Sequence, residues 1–337
     1  MSRIVVVGGG VIGCAVAERL TRDRHQVVVL ERDHIGAHAS GAAAGLLAPL
    51  EVGSGPEGEE GRRSLAMFDE LVPRLERGGM SVEFRRGESI RPALSASEER
   101  RLKTAPGRWV DGVEARRLEA GLQSRVRGAL IAEEAQITPP RFVEALARAG
   151  VAAGAELREG TPVGQILTRG GRVHGVVTGD GTLEADWVVL AAGPWSPSLT
   201  SPLGVALDIR PSRGQLVTLR PRRVALGRML SWQSSYLVPK PDGTVIAGST
   251  EEEAGFDARP TAQGVAQLLT FAQTAVPELG GAVVERVWAA LRPRTPDDRA
   301  VVGAIQELPG LLVASGHNRH GILLAPLTAE RVAGLVS

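Results

Sequence analysis

The first thirty-one residues constrain the fold more than any other part of the chain. A β-branched run over 4–7 leads into the glycine sequence GGGVIG, residues 8–13, and a second apolar run over 27–30 ends at Glu31. Strand, glycine turn, helix, strand and acid follow one another as in a dinucleotide-binding βαβ unit, in which the acid comes about 20 residues after the glycines. The pattern predicts a parallel sheet that binds a nucleotide at the start of its first helix.

Each member of this motif has a separate physical role. Gly8 allows a tight turn, Gly10 lets backbone approach a pyrophosphate, and Gly13 lets the helix pack closely on the strand. The unpaired N–H groups at the start of the helix favour phosphate. Glu31 can accept hydrogen bonds from ribose hydroxyls, and its charge disfavours a 2′-phosphate, so FAD or NAD is favoured over NADP. A glycine-rich turn without a ligand is the alternative.

The composition argues against several classes of protein. The chain has 337 residues, 43% of them hydrophobic, and its net charge of +1 gives no reason to expect nucleic acid as a partner. The single cysteine, Cys14, excludes an intramolecular disulfide and favours a reducing compartment; we interpret it as a packing residue. Neither a signal peptide nor an apolar run of about 18 residues is visible. We therefore expect a cytoplasmic protein.

The order of the elements predicts an α/β protein (α+β overall) with two domains. Buried strands are predicted near both ends of the chain, and antiparallel strands fill 213–250. This order fits a discontinuous Rossmann-like nucleotide domain with an inserted antiparallel β-sheet substrate domain. We place the nucleotide domain at 1–78, 135–208 and 285–337, and the substrate domain at 79–134 and 209–284.

Several local predictions complete the secondary structure. The small residues of 36–49 allow close approach to a flat ligand, and Ser40 is predicted to cap the short helix that follows. The polar, glycine-rich stretch 51–63 predicts a mobile connector, with a lid over the site as the alternative. Thr138, followed by two prolines, predicts a helix start, and the last helix is predicted over 328–335.

Six segments follow one another along the chain: GGGVIG with the acid that follows it, SGAAAGL at 40–46, ADWVVLAAGPW at 185–195, YLVP at 236–239, ALRP at 290–293 and GHNRHGILLAP at 316–326. Together and in this order they resemble the D-amino acid oxidase family of flavoproteins and, within it, the glycine oxidases of the thiamine-pathway type. The resemblance covers essentially the whole chain, which makes it more specific than any single motif.

The resemblance implies a non-covalent FAD in an extended conformation and no metal. A cysteine tethers the flavin in the related sarcosine oxidases, but the only cysteine here lies in the nucleotide helix. The adenine would contact the backbone of Val163, and the loop 317–323 would surround the isoalloxazine edge. The implied cofactor residues are Gly8, Gly10, Val11, Ile12, Gly13, Glu31, Arg32, Ala39, Ser40, Ala44, Gly45, Leu46, Val163, Gly193, His317, Asn318, Arg319, His320, Gly321, Ile322 and Leu323.

The resemblance also implies that Tyr236, Arg292 and Arg319 bind the substrate. A guanidinium can hold a carboxylate through two hydrogen bonds, and a tyrosine can donate its O–H to the same group. We expect Arg292 in a loop just after a strand. Asn318 stands where the family commonly has an aromatic residue, and His320 where it has asparagine, so the ceiling of the substrate site departs from the family pattern. We interpret the histidines of this loop as packing against the flavin, rather than as acid–base groups or metal ligands.

The implied reaction is oxidation of glycine and/or small D-amino acids by hydride transfer from the α-carbon to flavin N5. This hydride transfer requires a neutral substrate amine but no protein base. The imine hydrolyses to a 2-oxo acid and ammonia, and O2 is reduced to H2O2. The expected partners are a small amino acid and O2, without nucleic acid or membrane; a homo-oligomer is left open. The alternatives are a dehydrogenase with another electron acceptor, a sarcosine or secondary-amine oxidase, a tRNA-modifying flavin oxidase, and a nucleotide-binding protein without activity.

Overall fold

The computed structural model describes residues 1–52, 56–223 and 226–336. The strands are β1 (Arg3–Val7), β2 (Gln26–Leu30), β3 (Leu46–Leu47), β4 (Arg85–Ala93), β5 (Arg108–Asp111), β6 (Gly128–Gln136), β7 (Glu156–Arg158), β8 (Val163–Arg169), β9 (Arg172–Thr178), β10 (Gly181–Glu184), β11 (Trp187–Leu190), β12 (Arg210–Arg220), β13 (Met229–Trp232), β14 (Ser235–Pro239), β15 (Val245–Gly248), β16 (Val283–Arg294), β17 (Val301–Ala304) and β18 (Leu311–Ser315). The helices are α1 (Val11–Arg22), α2 (Ala39–Ala42), α3 (Pro49–Val52), α4 (Pro56–Glu76), α5 (Ala96–Lys103), α6 (Gly112–Leu118), α7 (Pro139–Ala152), α8 (Ser196–Thr200), α9 (Ala262–Ala275) and α10 (Gly321–Val336).

The glycine motif opens a six-stranded sheet with the order β17-β18-β11-β1-β2-β7. All neighbours in it are parallel except β17, which runs antiparallel to β18. The β-branched residues of β1 are almost fully buried, as expected of a central parallel strand covered on both faces. Helices α1, α7 and α10 contribute to the core on one face of this sheet. The predicted Rossmann-like sheet is confirmed.

A second, larger sheet of nine strands has the order β16-β12-β15-β14-β13-β4-β6-β3, with β5 paired to β6. Its neighbours are antiparallel except for the parallel pair β13 and β4. This confirms the predicted antiparallel sheet and, with it, the fold class. The domain boundaries stay a prediction; β6 and β16 extend across two of them. A separate three-stranded sheet is formed by β8, β9 and β10.

The predicted connector over 51–63 is wrong for the residues that the structure describes there. Glu51 and Val52 end α3, and α4 begins at Pro56 and continues to Glu76; residues 53–55 lie outside the described part. Acidic residues in the first turn favour a helix start, and ion pairs to distant segments add to this. The pairs are Glu57 with Arg299, Glu60 with Arg331, and Arg63 with Glu330.

Two further elements differ from their predicted extent. The last helix begins at Gly321, seven residues before the predicted start, and contains Pro326. A proline inside a helix removes one backbone hydrogen bond, which is why the sequence pattern suggested a later start. Apolar burial along α10 outweighs that loss. Strand β16 continues to Arg294, so Arg292 lies inside a strand and not in the loop after it.

Candidate functional site

One cavity of about 410 Å³ runs from the glycine motif to the large sheet. Its walls come from the carboxyl ends of β1, β2, β11 and β18, from the segment 36–46, and from β12, β14 and β16. Ligands of open parallel sheets bind at such carboxyl ends. The structure brings all the predicted site residues to this cavity except Gly13.

The glycines of the motif are needed because other backbone lies where a side chain would be. A Cβ atom on Gly8, whose φ is +113°, would lie 2.5 Å from the carbonyl oxygen of Ala191. On Gly13 it would lie 1.9 Å from the carbonyl oxygen of Gly8. Gly8 therefore lets the turn pack closely on the backbone that follows β11, and Gly13 lets helix α1 pack closely on β1 and this turn.

Ser40 caps a different helix from the one predicted. Its Oγ accepts a hydrogen bond of 2.9 Å from the backbone N–H of Val11, at the start of α1. Helix α2 has His38 as its N-cap residue and has no side-chain cap. Ser40 thus lies beside the positive end of the α1 dipole, where a pyrophosphate would be favoured.

Glu31 is buried, with 6% of its surface exposed, and it orders the glycine turn. Oε2 accepts a hydrogen bond from the backbone N–H of Gly9 at 2.6 Å, and Oε1 accepts one from Asp33 at 2.9 Å. The carboxylate still lines the cavity. Each carboxylate oxygen can accept a second hydrogen bond, so this arrangement fits the predicted contact with ribose hydroxyls.

The end of the cavity near Glu31 and Arg32 carries two aromatic residues, Trp195 and His38, that the sequence analysis did not assign to the site. The Arg32 guanidinium lies 3.8 Å from the ring centroid of Trp195, and the His38 ring lies 4.7 Å from it. Trp195 comes five residues after the end of β11. Its place after a parallel strand could have indicated a ligand contact from the sequence. Val163 also lines this cavity, and its contact with adenine stays a prediction.

One group of side chains has the composition of a metal site. Among the described residues, ligand atoms of Glu31, Asp33 and His38 lie within 4.8 Å of one another. Both oxygens of Glu31 already accept backbone N–H bonds, and Asp33 Oδ2 lies 2.7 Å from His38 Nε2 and 3.1 Å from Arg32 Nε. These hydrogen bonds account for the group, and the absence of a metal stays a prediction.

Arg292 lies at the large-sheet end of the cavity, and the Nε atom of its guanidinium is buried. Nη1 donates to Ser249 Oγ at 3.0 Å, Nη2 donates to the carbonyl of Thr250 at 2.6 Å, and Nε is buried without a partner. Burial lowers the pKa of this guanidinium from its usual value. Both of these hydrogen bonds go to neutral groups, and no carboxylate oxygen among the described residues lies within 4.0 Å of it; the charge of Glu251 acts on it from farther away.

Arg319 and Tyr236 lie beside Arg292. The guanidinium of Arg319 is 5.9 Å from the ring centroid of Tyr236, and its Nη2 donates to the carbonyl of Ser234 at 3.0 Å. Neither arginine has a carboxylate oxygen within 4.0 Å among the residues that the structure describes. Two cations and a phenol therefore face one space without a counterion.

Two strand glycines make room for these side chains. A Cβ atom on Gly214 would lie 2.9 Å from Arg292 Cζ, and one on Gly248 would lie 2.9 Å from the hydroxyl oxygen of Tyr236. Glycine inside a strand often marks such a close approach. Both glycines can be seen in the predicted strand segment 213–250 of the sequence, but the sequence analysis did not assign them to the site.

The loop after β18 closes the cavity with polar groups. His317 is almost fully buried, and its Nε2 lies 2.9 Å from Thr328 Oγ1. Asn318, at φ +44°, donates from Nδ2 to Asp298 Oδ1 at 2.9 Å. Burial lowers the pKa of His320 and also that of His317. Both histidines are neutral at pH 7, which fits packing against a flat ring.

Comparison with known proteins identifies the family. A family model described as FAD dependent oxidoreductase (DAO) matches residues 3–335. The chain belongs to this family. The glycine motif, the start of α1 and Glu31 have the geometry that the adenine dinucleotide of FAD requires, so the residues present fit the cofactor.

Within this family, the chain is similar to proteins named glycine oxidase. A glycine oxidase of Geobacillus kaustophilus is 34% identical over 348 residues, covering 99% of this chain and 92% of that protein. The crystal structure of glycine oxidase from Geobacillus kaustophilus matches with a TM-score of 0.93 and 33% identity, over 100% of this chain and 95% of that one. The chain is an FAD-dependent oxidoreductase that resembles glycine oxidases.

A second kind of relative is longer. The bifunctional protein ThiO/ThiG of Synechocystis sp. (strain ATCC 27184 / PCC 6803 / Kazusa) is 34% identical over 346 residues. The match covers 99% of this chain and 51% of that protein, so the chain spans about half the length of this relative.

Among the described residues, no helix is long and apolar enough to cross a membrane.

Proposed function

We propose that this protein is an FAD-dependent oxidase of glycine and/or small D-amino acids. One observation carries the proposal: Arg292, Arg319 and Tyr236 face one cavity, and neither arginine has a carboxylate partner among the described residues. A buried cation without a counterion favours an anionic ligand. The carboxylate of an amino acid matches the planar guanidinium, which can bind it through two hydrogen bonds.

FAD would be held without a covalent bond, by the glycine motif, Glu31, Arg32 and the segment Ala39–Leu46. Cys14 is the only cysteine; its Sγ is buried and lies 3.5 Å from the carbonyl oxygen of Gly9. Burial raises the pKa of this thiol to about 12, so it stays neutral and unreactive. Bound FAD would supply two-electron redox chemistry: the substrate would lose a hydride from its α-carbon, O2 would be reduced to H2O2, and the imine product would hydrolyse to a 2-oxo acid and ammonia.

The residues of the chain would act mainly by positioning. Arg292 and Tyr236 would bind the substrate carboxylate and so fix the direction of the α C–H bond. Orientation of this kind can supply a large part of a rate enhancement. The substrate amine must be neutral to donate its lone pair, and solvent can take its proton, so no protein base is assigned.

Anaerobic mixing with amino acids tests this function. The purified holoenzyme is mixed with glycine, sarcosine, D-alanine and L-alanine while the visible flavin band is recorded. Bleaching by glycine or D-alanine, reversed by air with release of H2O2, is the expected result. Bleaching without peroxide would identify a dehydrogenase, and bleaching by sarcosine alone a secondary-amine oxidase. A flavoprotein that none of them bleaches would refute the proposal.

The variant Arg292→Ala tests the assigned carboxylate contact. Losing two charge-assisted hydrogen bonds should cost roughly 3 kcal/mol, or about 10²-fold in kcat/KM, while FAD stays bound. Arg220→Ala is the matched control, since Arg220 is an exposed arginine of the large sheet paired with Glu285. A colourless or unfolded Arg292→Ala protein would show that the residue is structural.

We also propose a role in thiamine supply. The match to ThiO/ThiG supports it, together with the sequence resemblance to glycine oxidases of the thiamine-pathway type. Deleting the gene in its host should make growth depend on added thiamine. Unchanged growth in thiamine-free medium, with no second gene of this kind present, would contradict it.

A further inference from the structure

Two side chains of the large sheet reach across to the segment that lines the cofactor end of the cavity. Trp288, on β16, donates from Nε1 to the carbonyl of Ala42 at 2.9 Å. Lys240, directly after β14, donates from Nζ to the carbonyl of Ala44 at 2.5 Å. The two acceptors are only two residues apart, and both acceptor residues line the cavity.

Each of these donors stands four residues from a substrate-site residue. Lys240 comes directly after β14, four residues beyond Tyr236 of that strand. Trp288 comes four residues before Arg292 on β16. Since a strand rises about 3.3 Å per residue, each donor lies about 13 Å along its strand from the substrate residue. Alternation places Trp288 and Arg292 on the same face of their strand.

Lys240 also connects a third element. Its Nζ lies 3.4 Å from the carbonyl of Ile137, whose own N–H donates to the carbonyl of Gly45 at 2.9 Å. Gly45 has φ +84°, and a Cβ atom there would lie 2.0 Å from the Ile137 carbonyl oxygen. The turn at Ala44–Gly45 is therefore held from two sides.

Apolar packing supports the same contact. Ala44 is buried in a small cluster between the segment and the large sheet, so the two hydrogen bonds lie at the margins of a packed contact. The cluster comprises Ala44, Leu46, Leu216, Met229, Tyr236, Val238, Ile246 and Trp288.

We propose that Lys240 and Trp288 are positioning residues that hold Ala42–Gly45, and with it the bound cofactor, at the working distance from Tyr236 and Arg292. The proposal rests on the proposed function and extends it to residues that do not contact the substrate. A displacement of about 1 Å between reacting groups can lower a rate by about 10²-fold. Losing either donor should therefore slow cofactor reduction more than it weakens substrate binding.

The test uses the holoenzymes of Lys240→Met and Trp288→Phe, which remove one donor each and keep most of the apolar volume. The controls are Lys103→Met, at the only other lysine, and Trp232→Phe, which loses an indole bond to Glu98 Oε1 of 2.9 Å. Three quantities are measured for each: the FAD Kd of the apoprotein, the anaerobic reduction rate constant with glycine, and the Kd of acetate from the flavin spectrum.

The expected result is a reduction rate at least 10-fold below wild type in each test variant, with the acetate Kd within twofold. The controls should match wild type in all three quantities. A reduction rate within twofold of wild type in both test variants would overturn the proposal. So would a rate loss matched by an equal loss of acetate binding, because the substrate site itself would then have failed.

The proposed function and this inference fail in different ways. If no amino acid reduces the wild-type flavin, the proposed function fails, and the FAD Kd of the double variant decides the inference. A rise of at least fivefold, with the control double variant unchanged, would support a positioning role for Lys240 and Trp288. An FAD Kd within twofold of wild type would then overturn it.

Discussion

The buried imidazole of His317 should make the stability of this protein depend on pH. The residue is 3% exposed, its Nε2 is paired with Thr328 Oγ1, and its Nδ1 has no partner among the described residues. Burial lowers the pKa of His317 to about 3, and repulsion from Arg331, and from His320 where that residue is protonated, acts in the same direction. The folded state therefore keeps this histidine neutral under conditions in which the unfolded chain protonates it.

The size of the effect follows from the difference between the two pKa values. An unfolded histidine has a pKa of about 6.5, so between about pH 6.5 and 3 the unfolded state binds a proton that the folded state does not. The contribution of His317 to the free energy of unfolding is fully present above about pH 6.5. Below that pH it decreases by about 1.4 kcal/mol for each unit by which the pH drops. Between pH 7.5 and 4.5 the loss should reach about 2.7 kcal/mol.

Urea unfolding of the wild type and of His317→Gln measures this loss. Glutamine keeps a polar partner for Thr328 and does not titrate. Free energies of unfolding are measured at pH 7.5, 6.5, 5.5 and 4.5 at one FAD concentration. His34→Gln serves as control, because His34 is exposed. On acidification from pH 7.5 to 4.5 the wild type should lose about 2.7 kcal/mol more than His317→Gln, and His34→Gln should follow the wild type.

Parallel stability curves would refute the reasoning. If the wild type and His317→Gln lose stability equally to within about 0.5 kcal/mol, His317 is protonated in the folded state or reaches water. Either outcome would contradict a neutral, enclosed imidazole beside the cofactor cavity.

Two further predictions concern the nucleotide motif. Because burial raises the pKa of Cys14 to about 12, the folded protein should resist iodoacetamide at pH 8.5 and be labelled fully in urea, as mass spectrometry would show; rapid labelling of the folded protein would contradict this. Gly13→Ala should raise the FAD Kd at least 10-fold in fluorescence titration, because its Cβ would overlap the Gly8 carbonyl oxygen at 1.9 Å. Gly87→Ala, where a Cβ would meet nothing within 4 Å, should bind FAD like the wild type, and equal Kd values for both variants would count against the packing role of Gly13.

The sequence predicted the nucleotide-binding unit well because each requirement of that unit is local. A positive φ at Gly8, the small residue at Gly13 and the acid after β2 can all be recognised within thirty-one residues. The antiparallel sheet was also predictable, since several short apolar runs lie within 213–250 and the last two are joined by the turn sequence Pro-Asp-Gly at 241–243.

Two of the errors share one physical cause. Ser40 was assigned to its own helix, but its acceptor role is toward Val11, twenty-nine residues away. The glycine-rich stretch 51–63 was read as a connector, but its described part forms helices tied by ion pairs to α10 and to Arg299. Local composition carries no information about such distant partners.

The sequence by itself determined the fold class, the family resemblance and the residue types from which the site was proposed. Tertiary structure alone decided how Arg292, Arg319 and Tyr236 share one space without a carboxylate, and how Lys240 and Trp288 reach the segment at Ala42–Gly45. The division is physical: turn geometry and hydrophobic period are properties of adjacent residues, whereas charge compensation and hydrogen-bond partners depend on which distant segments the folded chain brings together.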